Sequence, residues 1–194
     1  NPLAITTGAL DIGDGAIVQS LGNFELNLSG DTQIDGRLLS NADLELMISD
    51  ADLSLSETGA LIADEFLSVT ADTITNTGLI SGAQITLVTR DLSNILSNGY
   101  SVGESGLIVA DTGLTLNLSG TLTNSGVITA QDLGQLGSAA LLISASDILN
   151  SDMGRITSAG SLTLGGVTAV TMQSVISLAA LSQTAEHLRQ PQTA

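Results

Sequence analysis

The sequence predicts an all-β fold: a parallel β-helix, in which short strands circle a narrow core and each coil stacks on the last. Three observations predict it. A short phrase returns about every 23 residues, apolar residues near it come in pairs two apart, and the 43% hydrophobic content includes only 2% aromatics.

The phrase is clearest at Leu122-Thr-Asn124-Ser-Gly126-Val127-Ile128-Thr129-Ala130, and Ile74-Thr-Asn76-Thr-Gly78-Leu-Ile80-Ser-Gly82 is a near copy. Its glycines are 15, 36, 59, 78, 106, 126 and 154, with spacings of 21, 23, 19, 28, 20 and 28. Self-similarity at such a period marks a stacked repeat. Two places after each glycine stands Ile17, Leu38, Leu61, Ile80, Ile108, Ile128 or Ile156. Four places after it the residue is small in six of seven copies. The expectation is that the first column fills the core and the second fits a narrow corner. The glycine is expected to supply a backbone conformation closed to residues with a Cβ.

A second apolar pair follows: Phe24/Leu26, Leu44/Leu46, Leu67/Val69, Ile85/Leu87, Leu114/Leu116 and Leu162/Leu164. A spacing of two is the period of a strand. Some 20 residues can make three short strands and three turns, and each strand can then pair in parallel with its copy one rung away. Asn76 and Asn124 suit turns whose side chains bond local backbone, and stacked asparagines can form a ladder. A core only one coil wide favours Leu, Ile, Val and Ala over bulky rings. The 21 glycines and 2 prolines fit many tight turns.

In chain order, residues 1–172 are expected to form the β-helix, with excursions at 90–103 and at Gly134–Gly137 where the spacing stretches to 28. A last strand is expected over Val167–Met172. Residues 173–194 change character. Val175, Leu178, Leu181, Ala185 and Leu188 recur at three-to-four spacing, which predicts an amphipathic helix over about 174–189, acting as a cap or junction, and then a frayed tail.

Charge excludes several functions. Twenty acidic residues against four arginines and no lysine give a net charge of −16. Phosphate binding needs basic neutralisation, so no nucleic-acid partner is expected, and no anionic membrane surface. Thirteen of the acids fall within 11–72. They read as a solvated face rather than a calcium surface, although Asp50 and Asp52 would share one side of a strand. The absence of cysteine excludes disulfides and thiolate-bound zinc. No apolar run is long enough to span a membrane.

A search for catalytic residues gives none, and no cofactor or metal ligand set. Gly99-Tyr100-Ser101-Val102-Gly103 matches a hydrolase nucleophile pattern, but that motif needs a following helix and a histidine base. The sole histidine, His187, lies in the tail, so the pentapeptide reads as a turn. Asn27 and Asn117 sit in glycosylation sequons that read as chance matches. The chain is therefore expected not to be an enzyme. A carbohydrate-active β-helix enzyme would need clustered Asp with Arg on one outer face.

The phrase, followed by alternating leucines, resembles the haemagglutinin repeats of large exoproteins of the two-partner secretion family. That family includes filamentous haemagglutinin-like adhesins and the toxin-carrying filaments of contact-dependent growth inhibition. The best copies are Ile74–Leu87 and Leu122–Leu133, then Gly154–Leu164. The resemblance implies a right-handed parallel β-helix shaft, exported through an outer-membrane transporter barrel and secreted or displayed on a Gram-negative cell surface. It implies a structural and adhesive shaft segment of an adhesin, with a host or neighbouring-cell receptor or glycan as partner. The other reading it implies is the shaft of a toxin-delivery filament. Neither an amino-terminal secretion domain nor a carboxy-terminal toxin domain is recognisable in the sequence.

Overall fold

The computed structural model describes residues 3–132, 139–151, 153–166 and 168–172. Every regular element among them is a strand, and every pairing between named strands is parallel. The chain winds through eight coils, the last of which shows two strands. The first coil is Leu3–Thr7, Leu10–Ile12 and Ile17–Ser20, and the second is Phe24–Leu28, Thr32–Ile34 and Arg37–Ser40. The seventh is Ala140–Ser144, Asp147–Asn150 and Arg155–Ser158, and the eighth is Ser161–Gly165 and Ala169–Met172. In the middle, Ala60–Thr70, Leu79–Thr89 and Leu107–Leu118 each turn the corner between coils as one long bent strand. A register shift between Gly82 and Gln84 marks the bend.

The coils share three faces, taken in chain order. Face one stacks Phe24, Leu44, Leu67, Ile85, Leu114, Leu141 and Leu162. Face two stacks Thr32, Leu53, Ile74, Leu92, Leu122, Ile148 and Val170. Face three stacks Val18, Leu38, Leu61, Ile80, Ile108, Ile128 and Ile156. Apart from Val170, which is exposed in the last described coil, these inward columns form one continuous core, with Val18 packed against it and Thr32 buried beside it. Burying each Leu or Ile contributes roughly 1.5–3 kcal/mol. At about 4.8 Å per rung, seven steps make a rod roughly 34 Å long.

The glycine register holds for six of its seven copies and fails in the first coil. Ile17 points outward and is 60% exposed, whereas Val18 pairs with Leu38 and packs on the core. The residue that stacks with Gly36 is Ala16, whose carbonyl accepts the Arg37 N–H at 2.8 Å. Gly15 sits one place earlier and has a φ of 73°.

The reason for glycine also differs from the expectation. Among the seven, only Gly15 and Gly106 have left-handed backbones. A Cβ on Gly36, Gly59, Gly78, Gly126 or Gly154 would instead fall on a backbone carbonyl oxygen: that of Ala16, Ile34, Gly59, Gly106 or Asn124. Close stacking of successive coils, rather than an unusual φ, excludes a side chain at these five positions.

The first excursion is shorter than expected. Asp91–Asn94 is a face-two strand paired with Thr73–Asn76 and Thr121–Asn124, so the chain leaves the coil only between 95 and 106. The second expected loop, Gly134–Gly137, and the helix expected over 174–189 lie outside the described residues. Strand Ala169–Met172 is the last one described.

Candidate functional site

Asparagine forms the most ordered polar array of the rod. Asn76, Asn94, Asn124 and Asn150 occupy the last inward position of face two in coils four to seven, and all four are fully buried. The amide Nδ2 of Asn76 donates to Asn94 Oδ1 at 2.8 Å, Asn94 to Asn124 at 2.8 Å, and Asn124 to Asn150 at 2.7 Å. The remaining amide protons reach carbonyls of the next turn. Asn94 donates to Gly106 O at 2.8 Å and Asn150 to Gly154 O at 2.8 Å. The ladder thus clamps the very corner at which the glycines stack. Asn76 and Asn124 are expected ladder residues from the sequence, whereas Asn94 falls within the excursion expected over 90–103. The shared pattern of Asp91-Leu-Ser-Asn94 with Thr73-Ile-Thr-Asn76 is the signal that finds it.

The acids on the face-one-to-face-two corner have a structural task. Asp31 Oδ1 accepts the Asp52 N–H at 3.1 Å, and Asp52 Oδ1 accepts the Thr73 N–H at 3.2 Å and hydroxyl at 2.7 Å. Asp91 Oδ1 accepts the Thr121 N–H at 2.7 Å. Each carboxylate caps the backbone of the following coil. Asp50 and Asp52 do not share a strand side: Asp50 lies in a turn with a φ of 54°. Among the described residues, no three of His, Asp and Glu converge to hold a metal ion.

Beside this corner runs a shallow groove of about 730 Å³ along the outer edge of face one. Met47, Thr70, Asp72, Val88, Arg90 and Asn117 are among the residues that line it. Arg90 binds both oxygens of Asp72, through Nε at 3.1 Å and Nη2 at 3.0 Å, and reaches Asp91 through Nη1. The hydrogen bond from Arg90 holds the Asp72 carboxyl below its ordinary value, with the guanidinium charge assisting and partial desolvation opposing. The same bond, together with the Asp72 and Asp91 charges, raises Arg90.

A depressed carboxylate adds stability above its unfolded-state pKa and loses it as pH falls through the folded-state value. Both partners are about half exposed, so water screens the pair. Arg90→Gln is therefore expected to raise the Asp72 titration midpoint toward that of an ordinary aspartate, read by NMR, while the melting temperature hardly moves. A large drop in melting temperature would contradict this.

The Gly99–Gly103 pentapeptide lies in the excursion between faces two and three. No helix follows it, and the Ser101 N–H is taken by Glu104 Oε2 at 2.6 Å. Tyr100 projects from the loop, 40% exposed. The one histidine, His187, lies outside the described residues. The described surface thus offers hydroxyls, amides and caps arranged to hold the rod together.

The architecture defines a repeat-built parallel β-helix. No family profile matches the chain, and no solved structure does. Among curated proteins, the deoxyribonuclease CdiA of Dickeya dadantii is 31% identical over 215 residues, covering 87% of this chain. The chain spans 6% of that relative's length. The match is distant and takes in a small part of that relative, so it supports the expected likeness only in part. It overturns the expectation of a non-enzyme, because the relative carries the name of a deoxyribonuclease. The physical reason is modularity. Stacked coils report the demands of stacking, and the residues of one span say nothing of the activity held by a far longer protein.

Proposed function

We propose that the chain is a rigid shaft segment of a long exported filament of the contact-dependent growth inhibition type. In this reading the whole protein carries an enzymatic activity, as its deoxyribonuclease relative does by name, and the coils described here supply reach. The match over 87% of the chain, together with the stacked coils of the chain itself, supports the reading. Stacking neighbours through every backbone edge gives a rod whose length grows by about 4.8 Å per coil. The absence of cysteine suits passage, unfolded, through a transporter barrel in the outer membrane, since no disulfide can form early. The rod would then stand on, or be shed from, the surface of a Gram-negative cell.

The test uses the full-length protein in its own host, with an epitope inserted in the 95–105 loop. The epitope is expected to be accessible on intact cells. Co-culture is expected to reduce sister cells lacking protection only when the two strains touch. An epitope reached only after lysis, or growth of sister cells unaffected by contact, would contradict the proposal.

A further inference from the structure

The excursion between 95 and 106 carries a dipeptide that occurs once in the chain, Asn98-Gly99. Both residues are exposed and border an open depression of about 320 Å³. They are the central pair of a turn: the Tyr100 N–H donates to Ser97 O at 3.2 Å, and Gly99 has a φ of 90°. Neither the Asn98 side chain nor the Gly99 N–H has a hydrogen-bond partner among the described residues. A bond from the Gly99 nitrogen to Asn98 Cγ would close a five-membered ring, and glycine has no side chain to obstruct that closure.

We infer that Asn98 is a site of spontaneous deamidation, set clear of the stacked coils. The Gly99 nitrogen gives up its proton to solvent base, and its electron pair attacks Asn98 Cγ. The new N–Cγ bond closes a succinimide ring. The Cγ–Nδ2 bond breaks, and the departing nitrogen takes up a proton and leaves as ammonia. Water then opens the ring. Breaking the bond to Cγ gives aspartate. Breaking the bond to the backbone carbonyl carbon gives isoaspartate, whose main chain runs through Cβ and Cγ. In sum, an amide and water become a carboxylate and ammonium, with no change of oxidation state. The loop, which already holds Glu104, gains one negative charge.

The rest of the chain shows why this asparagine stands apart. No other asparagine precedes glycine. After the four ladder asparagines, the N–H groups of Thr77, Ile95, Ser125 and Ser151 donate to carbonyls of the preceding coil at 2.8–3.0 Å. The side-chain amides of those asparagines are held in the ladder as well. Ring closure there would first have to break the stacking, whereas at Asn98 only the turn bond of Tyr100 is at stake. The Asp-Gly pairs divide in the same way. The Gly36 N–H donates to Ile12 O at 2.8 Å, while Asp14-Gly15 occupies an exposed turn closed by the Ala16 N–H on Gly13 O at 3.0 Å. Asp14 can form the same ring, but it must lose water from a protonated carboxyl, which is scarce at neutral pH, and its charge ends unchanged. The inference does not depend on the functional reading.

The test holds the full chain at mildly alkaline pH and follows each asparagine by peptide mapping and mass spectrometry. Asn98 is expected to convert to aspartate and isoaspartate about tenfold or more faster than any other asparagine, because the ladder sites must first open locally. Its rate is expected to lie within about threefold of that in a synthetic peptide of residues 95–103, since the fold protects neither reacting atom. Labelling with an isoaspartyl methyltransferase is expected to mark the Asn98 peptide and to lose that mark in Asn98→Gln, whose longer side chain would need a six-membered ring. The converted chain is expected to melt with the unconverted one, because the extra main-chain carbon of isoaspartate lies off the coil. An Asn98 that stays intact while the peptide reacts would overturn the proposal. So would ladder asparagines that react as fast, or a clear fall in melting temperature on conversion.

Discussion

Replacing Asn94 with leucine is expected to lower the free energy of unfolding by about 3–5 kcal/mol. The side chain is fully buried and lies inside the ladder, accepting from Asn76 and donating to Asn124 and Gly106 O. Leucine fills similar space but strands Asn76 Nδ2 and Asn124 Oδ1 without these partners in a site closed to water. The same column shows that an apolar residue is acceptable where no ladder is cut: Ile34 and Leu55 hold it in the two preceding coils, both buried. Asn76→Leu extends that apolar stretch by one coil and cuts one link of the ladder rather than two, together with the local bond from the Gly78 N–H to Asn76 Oδ1. It is expected to cost about 1–2 kcal/mol. Urea midpoints of the two variants check the contrast, and equal losses would contradict it.

Gly126→Ala is expected to destabilise the rod by about 3 kcal/mol, at the upper end of ordinary overpacking. Its Cβ would fall on the Gly106 carbonyl oxygen of the coil below and lie 2.9 Å from Asn94 Nδ2. Neither neighbour can retreat. The carbonyl accepts the Val127 N–H at 2.8 Å, and the amide belongs to the ladder. Gly113→Ala is the matched comparison, because nothing lies within 4 Å of its Cβ and its φ is not left-handed. It is expected to be neutral or to stabilise by up to about 1 kcal/mol through the unfolded chain. Thermal melts of the pair read the difference, and similar melting temperatures would contradict the close-stacking account.

The coil was legible because a solenoid asks the same thing of each repeat. An inward Ile or Leu, a small corner residue and a bare α-carbon recur whenever the chain passes the same point. The pattern misleads where one residue type serves two causes. Gly15 turns the chain through a left-handed φ, whereas Gly36 makes room for a carbonyl, so aligning them moved Ile17 into a core that belongs to Val18. Asp91–Asn94 misleads as well, a polar run that hides an inward leucine and a ladder asparagine. The acids within 11–72 read as solvated, but Asp31 and Asp52 cap the next coil, as Asp91 does beyond them, a relation between residues some 21 to 30 apart that only the stacking reveals. The enzymatic character named in the relative had no signal in the repeat, whose residues answer to stacking alone.

The central claim is that residues far apart in sequence stand one above another at a fixed rise. Spin labels at Gln33→Cys and Leu149→Cys test it most directly. Both positions point outward in one column of face two, linked rung by rung through Ser54, Thr75, Ser93 and Thr123. Five rungs at about 4.8 Å put them roughly 24 Å apart. Pulsed electron resonance should give a single narrow distance near that value, widened only by the label arms. A broad distribution, or a peak beyond about 40 Å, would mean the coils do not stack in this register.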